Sequence, residues 1–224
     1  MRAARAVILL LAAGCSTPLV VDPGATVLAL AFEPDGSLLV GRADGVVERR
    51  NRAGRVVSTW KVGIDAQAFA TDPRGGFFVA ANGTVSADGP QASCAITRVD
   101  ASGTAATVAS FPQGCRTLAF DGERVVAGGV GGLVAELEPS GQPIRQRLGD
   151  GVVRALLVRD GAIFAAGQST NGGFVLRLDG WTQRFGAGFF DVAKDLEYSA
   201  GNELRVVGSL QPDPAVARLA GFFA

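Results

Sequence analysis

The feature that most constrains this chain is an internal pattern of about 40 residues that occurs five times. Each copy contains short apolar or alternating runs separated by turn residues, as at Asp35-Gly36 and Asp44-Gly45, and such runs predict β-strands joined in hairpins. The glycine position of the first turn recurs after 39, 47, 39 and 40 residues, at Gly36, Gly75, Gly122, Gly161 and Gly201. The longer step contains an insertion around Asn82 to Ser93.

A second set of positions recurs in the third strand of each copy. It reads Val47-Glu48-Arg49-Arg50-Asn51 in the first copy and Val175-Leu176-Arg177-Leu178-Asp179 in the fourth. Four strands per unit at this period are typical of a β-propeller, in which stacked units bury a shared core. We therefore predict an all-β fold, a five-bladed β-propeller of four-stranded antiparallel blades. An open stack or a sandwich of hairpins is the alternative.

Two segments are similar to WD-like and delta-sixty-type bacterial propeller repeats. They are Asp160-Gly161-Ala162-Ile163-Phe164-Ala165-Ala166-Gly167 and Ala215-Val216-Ala217-Arg218-Leu219. The Trp-Asp dipeptide of WD repeats is absent, and Arg50-Asn51 and Leu178-Asp179 stand in its place in two of the copies. The resemblance therefore implies the propeller architecture and no particular subfamily.

The ends of the repeat array predict how the ring closes. The fifth copy stops near its third strand, and an apolar segment, Thr17 to Val21, precedes the first copy where a fourth strand is expected. We expect this N-terminal strand to pair with Val216 to Phe222 and close the ring. Closure removes the unpaired edges of an open sheet.

The N-terminus has the layout of an export signal. Arg2 and Arg5 precede the apolar run Ala6 to Ala13, which is too short to span a membrane as a helix. The string Leu11-Ala12-Ala13-Gly14-Cys15 resembles the lipobox of bacterial lipoproteins. That resemblance implies a lipidated Cys15, and Ser16 in place of the aspartate of inner-membrane retention favours the outer membrane. A plain signal peptide or a misplaced start is the alternative.

These features divide the chain into three parts. We predict a lipoprotein signal peptide over residues 1–14, a lipidated N-terminus and closing strand over 15–25, and a propeller domain of five repeats over 26–224. The domain would lie in the bacterial cell envelope, on the periplasmic or the outer face of the outer membrane. Cys94 and Cys115 then remain as an even pair in an exported chain, which predicts a disulfide; two buried thiols are the alternative.

Composition narrows the chemistry. The chain has no histidine, which excludes Ser-His-Asp and Cys-His catalysis and every His-ligated metal site. Its 21 basic and 21 acidic side chains balance, so we expect no nucleic acid as a partner. We predict no catalytic residue, no metal site and no cofactor.

Alignment of the innermost strands reveals a polar column. It contains three cations and one amide, and its members are Leu28, Gln67, Arg116, Arg154 and Lys194, with Asp195 following Lys194. All begin their strands, so we expect Gln67, Arg116, Arg154, Lys194 and Asp195 at one mouth of the central channel, where a positive lining attracts anions. Pairing of these cations with Asp195 or Glu197 is the alternative.

Two other columns indicate structural roles. One is apolar and is expected to pack between blades; its members are Leu30, Phe69, Leu118, Leu156 and Leu196. The other places an arginine at one position of the third strand, where its alkyl stem can cover the sheet; its members are Arg49, Arg98, Arg177 and Arg218.

Together these features indicate a lipid-anchored, non-catalytic, monomeric binding module. It would attach to the membrane through its lipid and bind an envelope protein, a peptide or a glycan. The alternative function is a metal-assisted hydrolase or lyase that uses acids and arginines at the channel mouth.

Overall fold

The structure is a computed structural model, and it describes residues 26–85, 92–186, 192–199 and 203–209. These residues form β-strands and turns, without a helix. Within the described ranges there is accordingly no helix with the length and apolar character needed to cross a membrane. The prediction of an all-β fold is confirmed.

The strands form five antiparallel sheets in which each strand pairs with its neighbour in sequence. Each sheet is called a blade below. Blade 1 contains β1 (Val27–Phe32), β2 (Leu38–Arg42), β3 (Val46–Arg50) and β4 (Val56–Lys61). Blade 2 contains β5 (Asp65–Thr71), β6 (Phe77–Val85), β7 (Ala92–Val99) and β8 (Ala105–Phe111). Blade 3 contains β9 (Cys115–Phe120), β10 (Val125–Gly129), β11 (Val134–Leu137) and β12 (Pro143–Arg147). Blade 4 contains β13 (Val152–Arg159), β14 (Ala162–Ser169), β15 (Gly172–Arg177) and β16 (Thr182–Phe185). In blade 5 the described strands are β17 (Val192–Tyr198) and β18 (Leu204–Ser209).

Side-chain oxygens hold the turns between the third and fourth strands. Asn51 Oδ1 accepts hydrogen bonds from the backbone N–H groups of Ala53 and Arg55, each at 3.0 Å. Asp100 Oδ1 does the same for Ser102 and Thr104 at 2.9 and 3.0 Å. The Ser102 hydroxyl, together with the backbone donors, lowers the pKa of Asp100 below its ordinary value. These turns are why Asn and Asp recur at the ends of the third strands.

Apolar clusters join each blade to the next. Between blades 1 and 2, Leu39 and Val47 pack against Phe77 and Val79. Three further clusters join blade 2 to blade 3, blade 3 to blade 4, and blade 4 to blade 5. The first strands of successive blades also lie side by side. Because each cluster involves only neighbouring blades, the structure is a stack of repeats along an arc.

The apolar column packs between blades in blades 2 to 5. Phe69, Leu118, Leu156 and Leu196 each lie in the cluster shared with the preceding blade. The prediction made from the sequence is confirmed for these four residues.

The arginine column is half-buried, as predicted from the sequence. Arg49 binds both carboxylate oxygens of Glu33, at 2.6 and 2.7 Å, and its guanidinium carbon lies 5.3 Å from the centre of the Trp60 ring. Trp60 Nε1 in turn donates to the carbonyl oxygen of Gly103 in blade 2, at 2.8 Å. Arg49 therefore supports the contact between blades 1 and 2. Arg218 lies outside the described residues.

Closure of the ring is not seen in the described strands. The register pairs Glu197 with Arg205 in blade 5, and both side chains are exposed. In the other blades the equivalent pairs are apolar and are buried or partly buried against the next blade; they are Ala31–Leu39, Ala70–Phe78, Ala119–Val126 and Leu157–Phe164. The predicted closing segments, 17–21 and 216–222, lie outside the described residues. A closed ring and a complete fifth blade therefore stay predictions.

Candidate functional site

The polar column found in the sequence coincides with a β-bulge in every blade. In blade 3, Cys115 and Thr117 pair with the adjacent residues Gly129 and Gly128, so Arg116 is an extra residue in its strand. The same irregularity occurs in the other first strands, with these extra residues: Leu28, Gln67, Arg154 and Lys194. A bulge changes the direction of a side chain relative to regular alternation. The local geometry therefore sets this column apart from its neighbours.

Burial shows the effect of the bulges. In blades 2 to 5 the residue before the bulge is fully buried, and these residues are Ala66, Cys115, Val153 and Ala193. The bulge residues that follow are exposed at Arg116, Arg154 and Lys194 and half-buried at Gln67. The chain thus directs one polar side chain per blade away from the core over four successive blades.

All five bulges lie near the start of the innermost strands, and we call this end of the blades the axial end. The turns between second and third strands also lie there. Gly132 in such a turn donates its N–H to the carbonyl oxygen of Gly151 at 2.9 Å, and Val130 forms a β-bridge with Val152. In blade 1, Val62 likewise donates its N–H to the carbonyl oxygen of Gly45 at 3.0 Å, so the turns of blades 1 and 3 are held against the connections into the next blades.

The cations of the axial end have amide partners. Arg116 Nη1 donates to Gln67 Oε1 at 3.3 Å, across the boundary between blades 2 and 3. Arg154 Nε donates to Gln168 Oε1 at 2.9 Å. Among the described residues, no carboxylate oxygen lies within 4.0 Å of the charged nitrogens of Arg116, Arg154 or Lys194.

The alternative pairing with acids is therefore not found in the described part of the chain. Asp195 Oδ1 instead accepts a hydrogen bond from the backbone N–H of Leu196, at 2.8 Å. Asp195 is exposed and follows Lys194 in β17, as the sequence order requires. The structure thus brings Gln67 and Arg116 into direct contact and places Arg154, Lys194 and Asp195 on the neighbouring first strands.

Several arginines elsewhere in the chain have carboxylate partners, whereas Arg147 and Arg184 donate to the hydroxyl oxygens of Thr182 and Ser169. Glu136 is 1% exposed and accepts hydrogen bonds from Arg124 and Arg145. Burial disfavours the charge of Arg124, but its hydrogen bonds to Glu136 and Asp121 raise its pKa overall. Arg116 and Arg154 differ from Arg124 because each has a neutral amide oxygen as its partner.

A disulfide lies beside the bulge of blade 3. Cys94 of β7 and Cys115 of β9 are bonded, with their Cα atoms 5.4 Å apart, so the predicted disulfide is confirmed. Asn82, which is 4% exposed, accepts a hydrogen bond from the Cys115 N–H through Oδ1 at 3.1 Å. Both contacts fix the residue that immediately precedes Arg116.

Two of the polar residues at this end were missed by reasoning from the sequence, Gln168 and Asn82. They occupy equivalent positions, because Gln168 pairs with Val152 in blade 4 and Asn82 pairs with Asp65 in blade 2. The sequence feature that could have predicted these two residues is an amide side chain directly after small apolar residues of the second strand. Recognising it requires knowledge of the strand register.

The structure shows no clear metal centre. In the parts of the chain that it describes, no three or more Cys, Asp and Glu side chains come together as a possible metal-binding group. Cys15, the predicted lipidation site, lies outside these parts.

The fold has clear relatives among solved structures. One is the Dos1 propeller, at 14% identity and a TM-score of 0.62, covering 81% of this chain and 53% of that chain. A chain of the Mitotic Checkpoint Complex matches at 15% identity and a TM-score of 0.65, covering 86% and 63%. The computationally designed Ika8 protein matches at 18% identity and 0.57, covering 81% and 55%.

These likenesses show a β-propeller repeat fold. The chain spans 53 to 63% of the length of the three solved chains. No protein-family model matches the chain, and no curated protein matches it either.

The bulge of blade 4 generates a prediction about stability. A Cβ on Gly167 would lie 1.9 Å from the Val152 carbonyl oxygen, whereas a Cβ on Gly149 would meet nothing within 4 Å. Neither glycine has a positive φ. We expect Gly167→Ala to lower the free energy of unfolding by about 3 kcal/mol because of overpacking. Gly149→Ala should change it by less than about 0.5 kcal/mol. Urea unfolding measures both; equal effects would contradict the close approach.

Proposed function

We propose that the protein is a lipid-anchored, non-catalytic binding module of the bacterial cell envelope. The observation that carries this proposal is the row of exposed polar side chains at the axial end, where Arg116 and Arg154 have amide partners and no carboxylate among the described residues. Such cations attract an anionic partner, since no carboxylate among the described residues pairs with them. A propeller chain in the Mitotic Checkpoint Complex is part of an assembly, which is consistent with a role in protein interaction.

The axial end favours binding over the alternative of a metal-assisted hydrolase or lyase. Such an enzyme needs several carboxylate or amide oxygens that converge on one ion. Here Gln67 Oε1 and Gln168 Oε1 each accept a guanidinium N–H, and Asp195 Oδ1 accepts a backbone N–H. The two glutamine oxygens thus serve to hold the arginine side chains in place.

The partner would be an envelope protein, a peptide or a glycan. The row extends over four blades, from Gln67 to Lys194, and a ligand that follows it would contact several blades at once. Because each contact is exposed, affinity should fall as salt is added.

We further propose that five blades close into a ring through the N-terminal strand. The five copies of the repeat in the sequence and the propeller fold of the solved relatives support this proposal. Deletion of residues 17–21 should leave a strand edge that promotes association. We expect larger species in size-exclusion chromatography and a lower melting temperature. A deletion variant that stays monomeric with an unchanged melting curve would refute the closing strand.

The binding role predicts a loss of affinity in Arg116→Ala/Arg154→Ala. The probe is a fluorescent peptide of alternating Glu and Ser residues, titrated at low salt and followed by anisotropy. Loss of two exposed charge contacts should weaken binding about tenfold.

The matched control is Arg52→Ala/Arg55→Ala, which removes the same charge from two exposed residues of the turn between β3 and β4, at the opposite end of blade 1. It should bind the peptide as the unaltered protein does. Equal affinities for all three proteins, each with an intact melting transition, would reject the axial end as the binding site.

Anchoring predicts that Cys15→Ser abolishes lipidation. The unaltered protein should partition into the detergent phase, because acyl chains hold a soluble domain at a membrane without a spanning helix. The variant should accumulate as a precursor or partition into the aqueous phase. Mass spectrometry checks the result directly: a mature N-terminus elsewhere, without an acyl mass, would disprove the anchor.

A further inference from the structure

We propose that Gln67 and Gln168 determine the ligand class of the axial end, because they orient Arg116 and Arg154 without neutralising them. The ligand class is then a carboxylate, presented by an acidic peptide segment of a partner protein. This inference rests on the proposed binding function and names the chemistry of that same site.

The hydrogen bonds leave most guanidinium donors available. Arginine has five N–H donors, and in the described structure each of these two arginines spends one of its N–H-bearing nitrogens on an amide oxygen. Arg116 uses Nη1, which leaves the edge formed by Nε and Nη2. Arg154 uses Nε, which leaves the edge formed by Nη1 and Nη2. Each edge presents two roughly parallel donors, the arrangement that binds a carboxylate through both oxygens.

Carboxylate partners in place of the two glutamines would neutralise Arg116 and Arg154. Glu33 binds Arg49 through both oxygens at 2.6 and 2.7 Å, and this pair is neutral as a unit. A glutamate has almost the same shape as a glutamine, so the amide at positions 67 and 168 changes the charge of the site and little else. The two glutamines therefore keep the net charge of the two pairs at +2 instead of zero.

The layout of the row favours a peptide over a glycan. The hydrogen bond between Gln67 and Arg116 shows that bulge residues of adjacent blades are within reach of one another. Arg154 and Lys194 occupy the same position in the next two blades. An extended peptide with several acidic side chains can match such a row.

Sugar rings, by contrast, are commonly bound against an aromatic face. None of the five bulge residues is aromatic. The exposed Trp181 lies in the turn between β15 and β16, at the opposite end of blade 4 from the start of β13. The five bulge residues thus offer charge and hydrogen bonds but no aromatic ring of their own.

The experiment compares Gln67→Glu/Gln168→Glu with two other variants. The probe is the Glu-Ser peptide at low salt, with inorganic phosphate, free glutamate and an oligogalacturonate as competitors. We expect the glutamate variant to bind the peptide at least about tenfold more weakly than the unaltered protein. Gln146→Glu/Gln183→Glu adds the same charge to the outer strands β12 and β16 and should bind normally. Gln67→Ala/Gln168→Ala should stay within about threefold, since it removes the hydrogen bonds and adds no charge.

The outcomes separate this inference from the proposed function. If Arg116→Ala/Arg154→Ala weakens binding and the glutamate variant does not, the arginines bind the partner but the glutamines do not set the ligand class, and the inference is wrong. If neither variant weakens binding, the proposed function is wrong as well. Tighter binding of the oligogalacturonate than of the peptide at equal charge overturns the peptide assignment. If phosphate displaces the peptide at the same concentration as free glutamate does, the carboxylate class is overturned. Melting curves confirm that each variant is folded.

Discussion

The close approach of the first and second strands in blades 3 to 5 is the constraint on which the rest of the structure depends. In blades 3 to 5 a glycine faces the residue before the bulge, at Gly129, Gly167 and Gly208. A Cβ at these positions would come within 2.0, 1.9 and 2.1 Å of a carbonyl oxygen of the first strand. In these three blades the extra residue of the bulge fits because the partner strand has no side chain there, whereas Arg42 and Ala81 occupy the corresponding positions of blades 1 and 2. The fold of the core and the exposure of the polar column therefore have the same origin.

Arginine has two distinct uses in this chain. Between blades and at turns, it is neutralised by carboxylates, as in the contact of Arg49 with Glu33 and of Arg124 with Glu136. Those pairs are largely removed from water, where an unpaired charge would be costly. At the axial end, Arg116 is exposed and has a neutral partner, so its charge is solvated in the free protein. Burial explains why Arg49 and Arg124 have carboxylate partners. The surroundings of Arg116, by contrast, do not require a cation.

The sequence was sufficient to predict the all-β fold and the four-stranded blades 1 to 4, because these depend on patterns that recur. Turn residues at a regular spacing predicted the four-stranded blades, and the even cysteine pair predicted the Cys94–Cys115 bond. The bulges could not be predicted, since an alternating strand and a bulged strand have the same composition. The partner of Arg154 was missed because Gln168 is 14 residues away and becomes its neighbour only through the register of β13 and β14. The exposed pair Glu197–Arg205 could not be predicted from the repeat pattern either. The period continues through this position, but charged residues stand where the other blades have apolar ones.

The charged pair Glu197–Arg205 has a consequence for how the molecule comes apart. In a repeat fold, each unit owes much of its stability to its contacts with neighbouring units. Blade 5 meets blade 4 through an apolar cluster but presents ions on its other face, whereas blades 2 and 3 share both an apolar cluster and a covalent bond. The local stability of the contacts between blades therefore varies along the chain. It is high between blades 2 and 3 and low at β17 and β18. Amide hydrogen exchange should be fastest at β17 and β18 and slowest beside the disulfide, so local opening would reach Lys194 before Arg116.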